Sequence, residues 1–309
     1  MILRKPSARK PALTVLSFGA GQDSTALLYM LAKNSVFRKL WAPNDLLVLM
    51  SDTGNEHPET YMHVESVKHF CDEAGIEFEF ITSDMRFHKG NWTSLTDYFE
   101  AYDLVMTKVF NRACTDQLKI QPIYRYLNLY VSIKYGLEAE GGVYRGHRAL
   151  VDFAEQNGKI RVLLGMSRGE EGRVSPDDQM AHEWMRLSVE KAYPLLWLGW
   201  DREDCQRYIR KIGKVVPPPS NCMFCPFMNR VELLWLARKY PEDFERWVGF
   251  ERRKLKKFAH LGDRNHCVLH KTKTLRQVLA DAEKQYGEWT LEQLEEYRFS
   301  HGHCVRSKY

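Results

Sequence analysis

Leu13 to Phe18 (Leu-Thr-Val-Leu-Ser-Phe) is a short, nearly continuous apolar run that gives way at once to Gly19-Ala20-Gly21-Gln22-Asp23-Ser24. The stretch after it, Ser24 to Asn34, places Leu27, Met30 and Leu31 on one helical face. A buried strand, a loop of small residues and a helix thus follow one another without a linker. The pattern repeats. Leu46 to Met50 reads as a second buried strand, and Pro58 opens a helix in which Tyr61, Val64, Val67, Cys71 and Ala74 keep helical spacing until Gly75 stops it. Ile76 to Thr82 then alternates as a third strand. Strands joined by helical crossovers run parallel, and a parallel sheet needs helices on both faces. The predicted fold class is therefore α/β, a Rossmann-like parallel sheet whose ligands bind at the carboxyl ends of the strands.

Arg161 to Met166 adds a strand, and a helix starting at Asp201, with Cys205, Tyr208, Ile209 and Ile212 on one face, closes the α/β unit. Val215 to Ser220 carries three prolines and reads as an extended linker. Beyond it, Val231 to Lys239, Pro241 to His260 and Leu291 to Tyr297 are amphipathic helices. Two domains are expected: a nucleotide-binding α/β domain at 1–214 and a cysteine-containing, mainly helical C-terminal module at 215–309.

With 44% apolar and 28% charged residues over 309 positions, the chain has globular composition, and no apolar run reaches the length of a membrane helix. Seven cysteines are an odd number and too sparse for a secreted disulfide scaffold. A cytoplasmic, reducing setting with free thiols is the expectation, and no membrane partner. The net charge of +5 comes from a basic surplus in the second half, which suits either a phosphate-bearing partner or a solvated surface.

The Gly19 to Ser24 loop lets a backbone close around an anion, and the first N–H groups of the incoming helix add donors and a positive dipole end. A merely tight turn would look similar. The loop fits neither G-x-x-x-x-G-K-[ST] nor G-x-G-x-x-G, which disfavours kinase-type and dinucleotide sites.

These six residues resemble the pyrophosphate loop of the PP-loop ATPases, S-G-G-x-D-S, with Gly19 in place of the serine and Ala20 in place of a glycine. Four further segments extend the resemblance to the branch similar to phosphoadenylyl-sulfate reductase. They are Asp52-Thr53-Gly54 with Glu56 and Pro58-Glu59-Thr60, Cys114-Thr115 with Lys119 and Pro122, Gly165 with Arg168, Glu170 and Arg173, and Tyr193-Pro194-Leu195 before Asp201. The resemblance implies an adenine nucleotide alpha hydrolase-like fold and an ATP pyrophosphatase or sulfurtransferase. ATP would lie on Phe18, Gly19, Ala20, Gly21, Gln22, Asp23 and Ser24, with Asp52, Thr53, Gly54 and Gly165 completing the nucleotide site. Asp23 and Ser24 would act with Mg2+, and Lys119, Arg168 and Arg173 would stabilise phosphate charge. Branch members that only reduce phosphoadenylyl sulfate tend to lack the aspartate found here at Asp23, and their C-terminal cysteine motif is absent.

Cys222 and Cys225 form a C-x-x-C, a spacing that brings two sulfurs to one side of a turn and serves a metal, a cluster corner or a redox dithiol. The resemblance adds Cys114 as a third ligand of a [4Fe-4S] cluster, with Zn2+ as the alternative. Cys304 leads Cys267 as the fourth ligand. Cys71 and Cys205 fall on apolar helix faces and read as core. Arg252, Arg253, Lys254, Lys256 and Lys257 crowd one helix, with Lys271, Lys273 and Arg276 beyond it and Arg145, His147 and Arg148 in an earlier loop. Each group is either a solvated face or a phosphate-tracking surface. The resulting functional expectation is activation of an acceptor oxygen, on nucleic acid or a small molecule, for sulfur transfer from a sulfur donor or cysteine desulfurase. A reductase of phosphoadenylyl sulfate and a non-catalytic nucleotide-binding regulator are the alternatives. The oligomeric state stays open.

Overall fold

The computed structural model describes residues 10–109, 113–137, 146–174 and 182–301. Five strands, β1 (Leu13–Ser17), β2 (Asp45–Ser51), β3 (Glu77–Ile81), β4 (Ile160–Leu164) and β5 (Val189–Ala192), form one parallel sheet in the order β3-β2-β1-β4-β5. The chain leaves β1 toward β2 on one side and returns to β4 on the other, so the carboxyl ends of β1 and β4 flank the topological switch point where such sheets hold ligands.

Between the strands lie α1 (Gln22–Lys33), α2 (Ser35–Trp41), α3 (Pro58–Glu73) and α4 (Leu95–Tyr102). A helical stretch follows, in which α5 (Ala113–Thr115) runs through a π-helical turn at Asp116–Ile120 into α6 (Gln121–Lys134). Next come α7 (Arg148–Asn157), α8 (Glu183–Ser188), α9 (Pro194–Leu198) and α10 (Arg202–Lys211), and the chain ends on α11 (Arg230–Lys239), α12 (Pro241–Lys257), α13 (Leu275–Tyr286) and α14 (Leu291–His301). The period-2 side-chain alternation of β1 sends Leu16 into the core under α1, α3 and α10, while Leu13 and Val15 face the core under α6 and α7.

Helix α1 begins two residues earlier than its apolar spacing suggests, so Gln22 and Asp23 form its first turn rather than the loop. Helix α10 starts where expected because Asp201 and Asp204 make a reciprocal capping box. A third apolar cluster joins α11 to α14 with Trp92, Leu95, Phe99, Val105 and Leu118, so the C-terminal helices complete their core with residues from the first half of the chain.

Candidate active site

After β1 the chain turns through Phe18 to Gly21. Phe18 still donates its N–H to Leu49 O at 2.8 Å, and Ala20 then adopts φ +55°, the left-handed region in which a Cβ is strained. This explains why the similar loop pattern has glycine at that position. Gly21 caps α1 without any side-chain hydrogen bond, which leaves the first-turn N–H groups without a side-chain cap. At Gly19 a side chain would meet nothing within 4 Å, so the loop is open there, while Ser220 Oγ stands 2.8 Å from where a Cβ of the capping Gly21 would be. Ser24 Oγ closes the turn from beneath, donating to Gly21 O at 3.1 Å and accepting from Gly19 N at 3.3 Å. An open loop over uncapped donors at a helix start is the chemistry a triphosphate needs.

Asp23 stands beside this cradle, buried, with its Oδ2 accepting from Ser167 Oγ at 2.9 Å and its Oδ1 buried with no hydrogen-bond partner. Burial raises its pKa, and Arg202, Ser167 and the Cys205 thiol offset only part of that rise. The orphaned oxygen suits a Mg2+ ion, whose charge would shield the phosphates. Cys205 is buried, as a core residue would be, yet it touches the carboxylate on which the site turns. Neither Ser167 nor Arg202 carried a signal in the sequence. Gly165 explains the close approach: a Cβ there would lie 2.8 Å from Ser24 N, so only glycine lets the end of β4 meet the first turn of α1.

Gln22 is placed differently. Its side chain donates to Pro217 O at 3.0 Å and to Phe299 O at 3.3 Å and accepts from Gln206 at 2.9 Å. It therefore ties the proline-rich linker and α14 to the loop rather than offering its amide to a phosphate. Ser220 Oγ packs where a side chain at Gly21 would be, and Arg298 reaches Pro219 O at 3.2 Å from the other side while lying 4.0 Å from the Trp235 ring centroid.

The expected cations are held in pairs. Arg168 is bound to Asp201, Arg173 to Glu170, and Lys119, which the π-helical turn carries, lies 3.2 Å from Glu56. On the basic helix, Arg253 meets Asp103 at 3.1 Å, Lys257 meets Tyr102 O at 2.6 Å, and Lys254 is buried against Asn265 and His266 O. Arg252, Lys256 and Lys257 stay exposed with no ion pair among the described residues, Lys257 being held only by a neutral carbonyl. Arg145 lies outside the described residues.

Beyond β2, Asp52 accepts from Gly54 N and from the Tyr61 hydroxyl, both at 2.9 Å, and burial holds its pKa above the usual range. The same loop builds the thiol site. Thr53 Oγ1 donates to Glu56 Oε1 at 2.9 Å, and Cys222 Sγ lies 3.5 Å from Thr53 Oγ1 and 3.6 Å from Glu56 Oε1. Glu56 and Cys222 also form an antiparallel bridge, and Cys225 N donates to Cys222 O at 3.2 Å in the tight turn the spacing implies. Cys225 is an electrostatic neighbour of both Cys114 and Cys222, and burial pushes the thiol pKa of these two up. The chain thus brings together three thiols that lie 108 residues apart in sequence, counted from Cys114 to Cys222.

No three His, Cys, Asp or Glu side chains among the described residues are grouped closely enough to hold a metal ion. The soft donors suit a cluster or zinc, but as placed they are neighbours rather than a formed ligand set. Cys304 lies outside the described residues, and Cys267 is buried, with its N–H bonded to Lys271 O. No helix among the described residues is long and apolar enough to cross a membrane.

Among solved structures the chain is similar to the U34-tRNA thiolase NcsA from Methanococcus maripaludis with its [4Fe-4S] cluster, at 13% identity over 94% of this chain and 77% of that chain, with TM-score 0.39. It is also similar to the NH3-dependent NAD synthetase from Campylobacter jejuni subsp. jejuni in complex with the nitrate ion, at 10% identity over 96% and 91%, with TM-score 0.27. No curated protein matches the chain. Residues 13–218, which hold the sheet, the open loop with Asp23 and the Asp52 to Glu56 turn, match the phosphoadenosine phosphosulfate reductase domain model, and the chain belongs to that family.

Proposed function

We propose that the protein is an ATP-dependent adenylating enzyme of the PP-loop type that activates an acceptor oxygen for replacement by sulfur. The observation that carries this reading is the buried, unpartnered Oδ1 of Asp23 beside an open loop and an uncapped helix start. ATP would lie with its phosphates on Gly19 to Ser24. The acceptor oxygen attacks the α-phosphorus, the bond from that phosphorus to the bridging oxygen breaks, and pyrophosphate leaves. Little covalent chemistry is asked of the chain in this step, where positioning and charge stabilisation dominate.

Helix α1 would orient the phosphates through its first N–H groups, Asp23 is the carboxylate that would hold a Mg2+ ion to offset their charge, and Ser167 fixes that carboxylate. In the second step a sulfur nucleophile from a separate donor bonds to the activated carbon, and AMP departs with the oxygen. With a persulfide donor, the outer sulfur would pass to Cys222 as the donor leaves as a thiol. Once that sulfur has bonded to the carbon, the Cys114 or Cys225 thiol attacks Cys222 Sγ and releases the product, leaving a Cys disulfide that an external dithiol reduces, with Lys119 offsetting the charge of Glu56 beside them. No step is assigned to a cluster, because the thiols do not form a ligand set as placed. Nucleic acid is the proposed acceptor class.

Asp23→Ala should abolish pyrophosphate release with the circular dichroism spectrum unchanged. Undiminished release would remove the basis of the proposal. Metal content decides the thiols' role: anaerobically purified protein with about four irons per chain, lost in Cys222→Ala, supports a cluster. Stoichiometric zinc, or no metal, supports thiols that work without one. Reduction of phosphoadenylyl sulfate, the activity in the family's name, is opposed by the presence of Asp23.

A further inference from the structure

Beside the C-terminal helices lies a half-open pocket of about 320 Å³, far along the chain from the nucleotide loop. Lys108, Arg230, His270 and Lys273 line it together with Asp281 and an apolar floor that includes Met228. Three cations therefore face one carboxylate. Several other basic side chains of these helices are paired one to one, Arg238 with Glu283, Arg246 with Glu100 and Arg276 with Glu245, and Lys239 lies between Glu59 and Glu295. Around the pocket, Lys273 pairs with Asp281, Arg230 interacts electrostatically with the same carboxylate and makes a long hydrogen bond of 3.4 Å to Gln285, and Lys108 has no ion pair among the described residues.

The wall is fixed in place. Glu251, 2% exposed, accepts from Val268 N at 2.9 Å and from Leu275 N at 2.7 Å, which fastens both ends of the loop that carries His270 and Lys273. Lys108 is tied to the same loop by its own N–H to Val268 O at 2.9 Å. Within the loop, His270 Nδ1 accepts from Thr272 N and Lys273 N, both at 3.1 Å, so the neutral ring carries its proton on Nε2 as a donor. The cavity is at the lower end of the size range of small-ligand sites, which suits one phosphate ester with part of its sugar or base on the apolar floor. It is also joined to the thiol site, since Met228 N donates to Cys225 O at 3.2 Å.

We infer that this cavity binds a phosphate ester of a nucleotide, through Lys108, Arg230, Lys273 and the Nε2–H of His270, and so anchors the acceptor beside the C-x-x-C turn. The anchoring role rests on the adenylating reading, whereas the phosphate site itself does not. Two sources share the chemistry, a free nucleotide and a nucleic-acid strand.

The test keeps the nucleotide loop filled with a saturating non-hydrolysable ATP analogue and follows the His270 ring signal by NMR. The chain is titrated with uridine monophosphate in one arm and a short single-stranded oligonucleotide in the other. One or both probes should shift the signal, and the probe that does so names the source. Lys108→Ala and Arg230→Ala should each weaken binding about tenfold, the loss of one charge-assisted hydrogen bond. Affinity should also fall as salt rises. If neither probe moves the signal at low salt, or the variants bind as tightly as the parent, the inference is overturned. The affinity for the ATP analogue is read alongside: its absence in the parent chain would sink the adenylating reading, and a probe signal there would leave the phosphate site standing.

Discussion

Asp23→Asn should make the nucleotide-free protein more stable and inactive at once. A buried carboxylate oxygen without a partner costs about 1–3 kcal/mol, and more when the group is charged. The amide leaves one neutral group unpaired in its place, so the net gain is about 1 kcal/mol, or roughly 2 °C in Tm for a chain of this size. The sign with pH follows from the raised carboxyl pKa. The folded chain holds the Asp23 proton more tightly than the unfolded chain, so stability falls as pH rises from the ordinary carboxylate range through the folded pKa. The Asn variant should lack that fall. Magnesium and ATP should reverse the order, because a ligand at a hundred times its Kd adds about 2.7 kcal/mol to the form that binds it. Thermal unfolding with and without MgATP, alongside pyrophosphate release, reads both halves. An Asn variant that melts below the parent without nucleotide would refute the claim that Asp23 is held at a cost.

Gly165→Ala forces a Cβ to 2.8 Å from Ser24 N and should destabilise by about 1–3 kcal/mol and weaken ATP binding, checked by chemical denaturation and titration. Ala20→Gly should leave stability within about 1 kcal/mol, as relief of the left-handed strain offsets glycine's entropy, whereas Ala20→Val should lose at least ~2 kcal/mol. Lys119→Ala strands the buried Glu56 carboxylate and should cost about 3 kcal/mol; adding Glu56→Gln should recover much of it, a coupling that a double-mutant cycle measures. His63 is held by burial at a pKa of about 4, below its unfolded value, so its contribution is complete above pH 6.5 and is lost as pH falls toward 4. His63→Gln should flatten that part of the pH–stability curve.

The sheet was legible because β1, β2 and the helices between them keep unmixed periods, and the open loop because a run of small residues between strand and helix has few other uses. Strand β5, Val-Glu-Lys-Ala, escaped because four residues with two charges carry no strand pattern; it forms by pairing with β4. Helix α13 escaped although a Thr274 to Gln277 capping box opens it, and the π-helical turn that carries Lys119 leaves no trace in apolar spacing. Gln22 shows a different limit, since the loop pattern puts it in the cradle while the carbonyls that claim it, Pro217 and Phe299, lie about two hundred residues or more away in sequence. The thiols were predicted to meet, but sequence gave no sign that Thr53 and Glu56 would cap Cys222. The partners of Arg253 and Lys257 on α12 were hidden for the same reason, because Asp103 and the Tyr102 carbonyl belong to a segment far earlier in the chain.

The central claim is that ATP is cleaved between its α- and β-phosphates under the control of Asp23. Phosphorus-31 NMR of ATP incubated with the protein, Mg2+ and total nucleic acid under anaerobic conditions reads the products directly. AMP and pyrophosphate in equal amounts, absent with the Asp23→Ala variant, are the predicted result; ADP with inorganic phosphate, or unchanged ATP while phosphoadenylyl sulfate is consumed in a parallel tube, would contradict it.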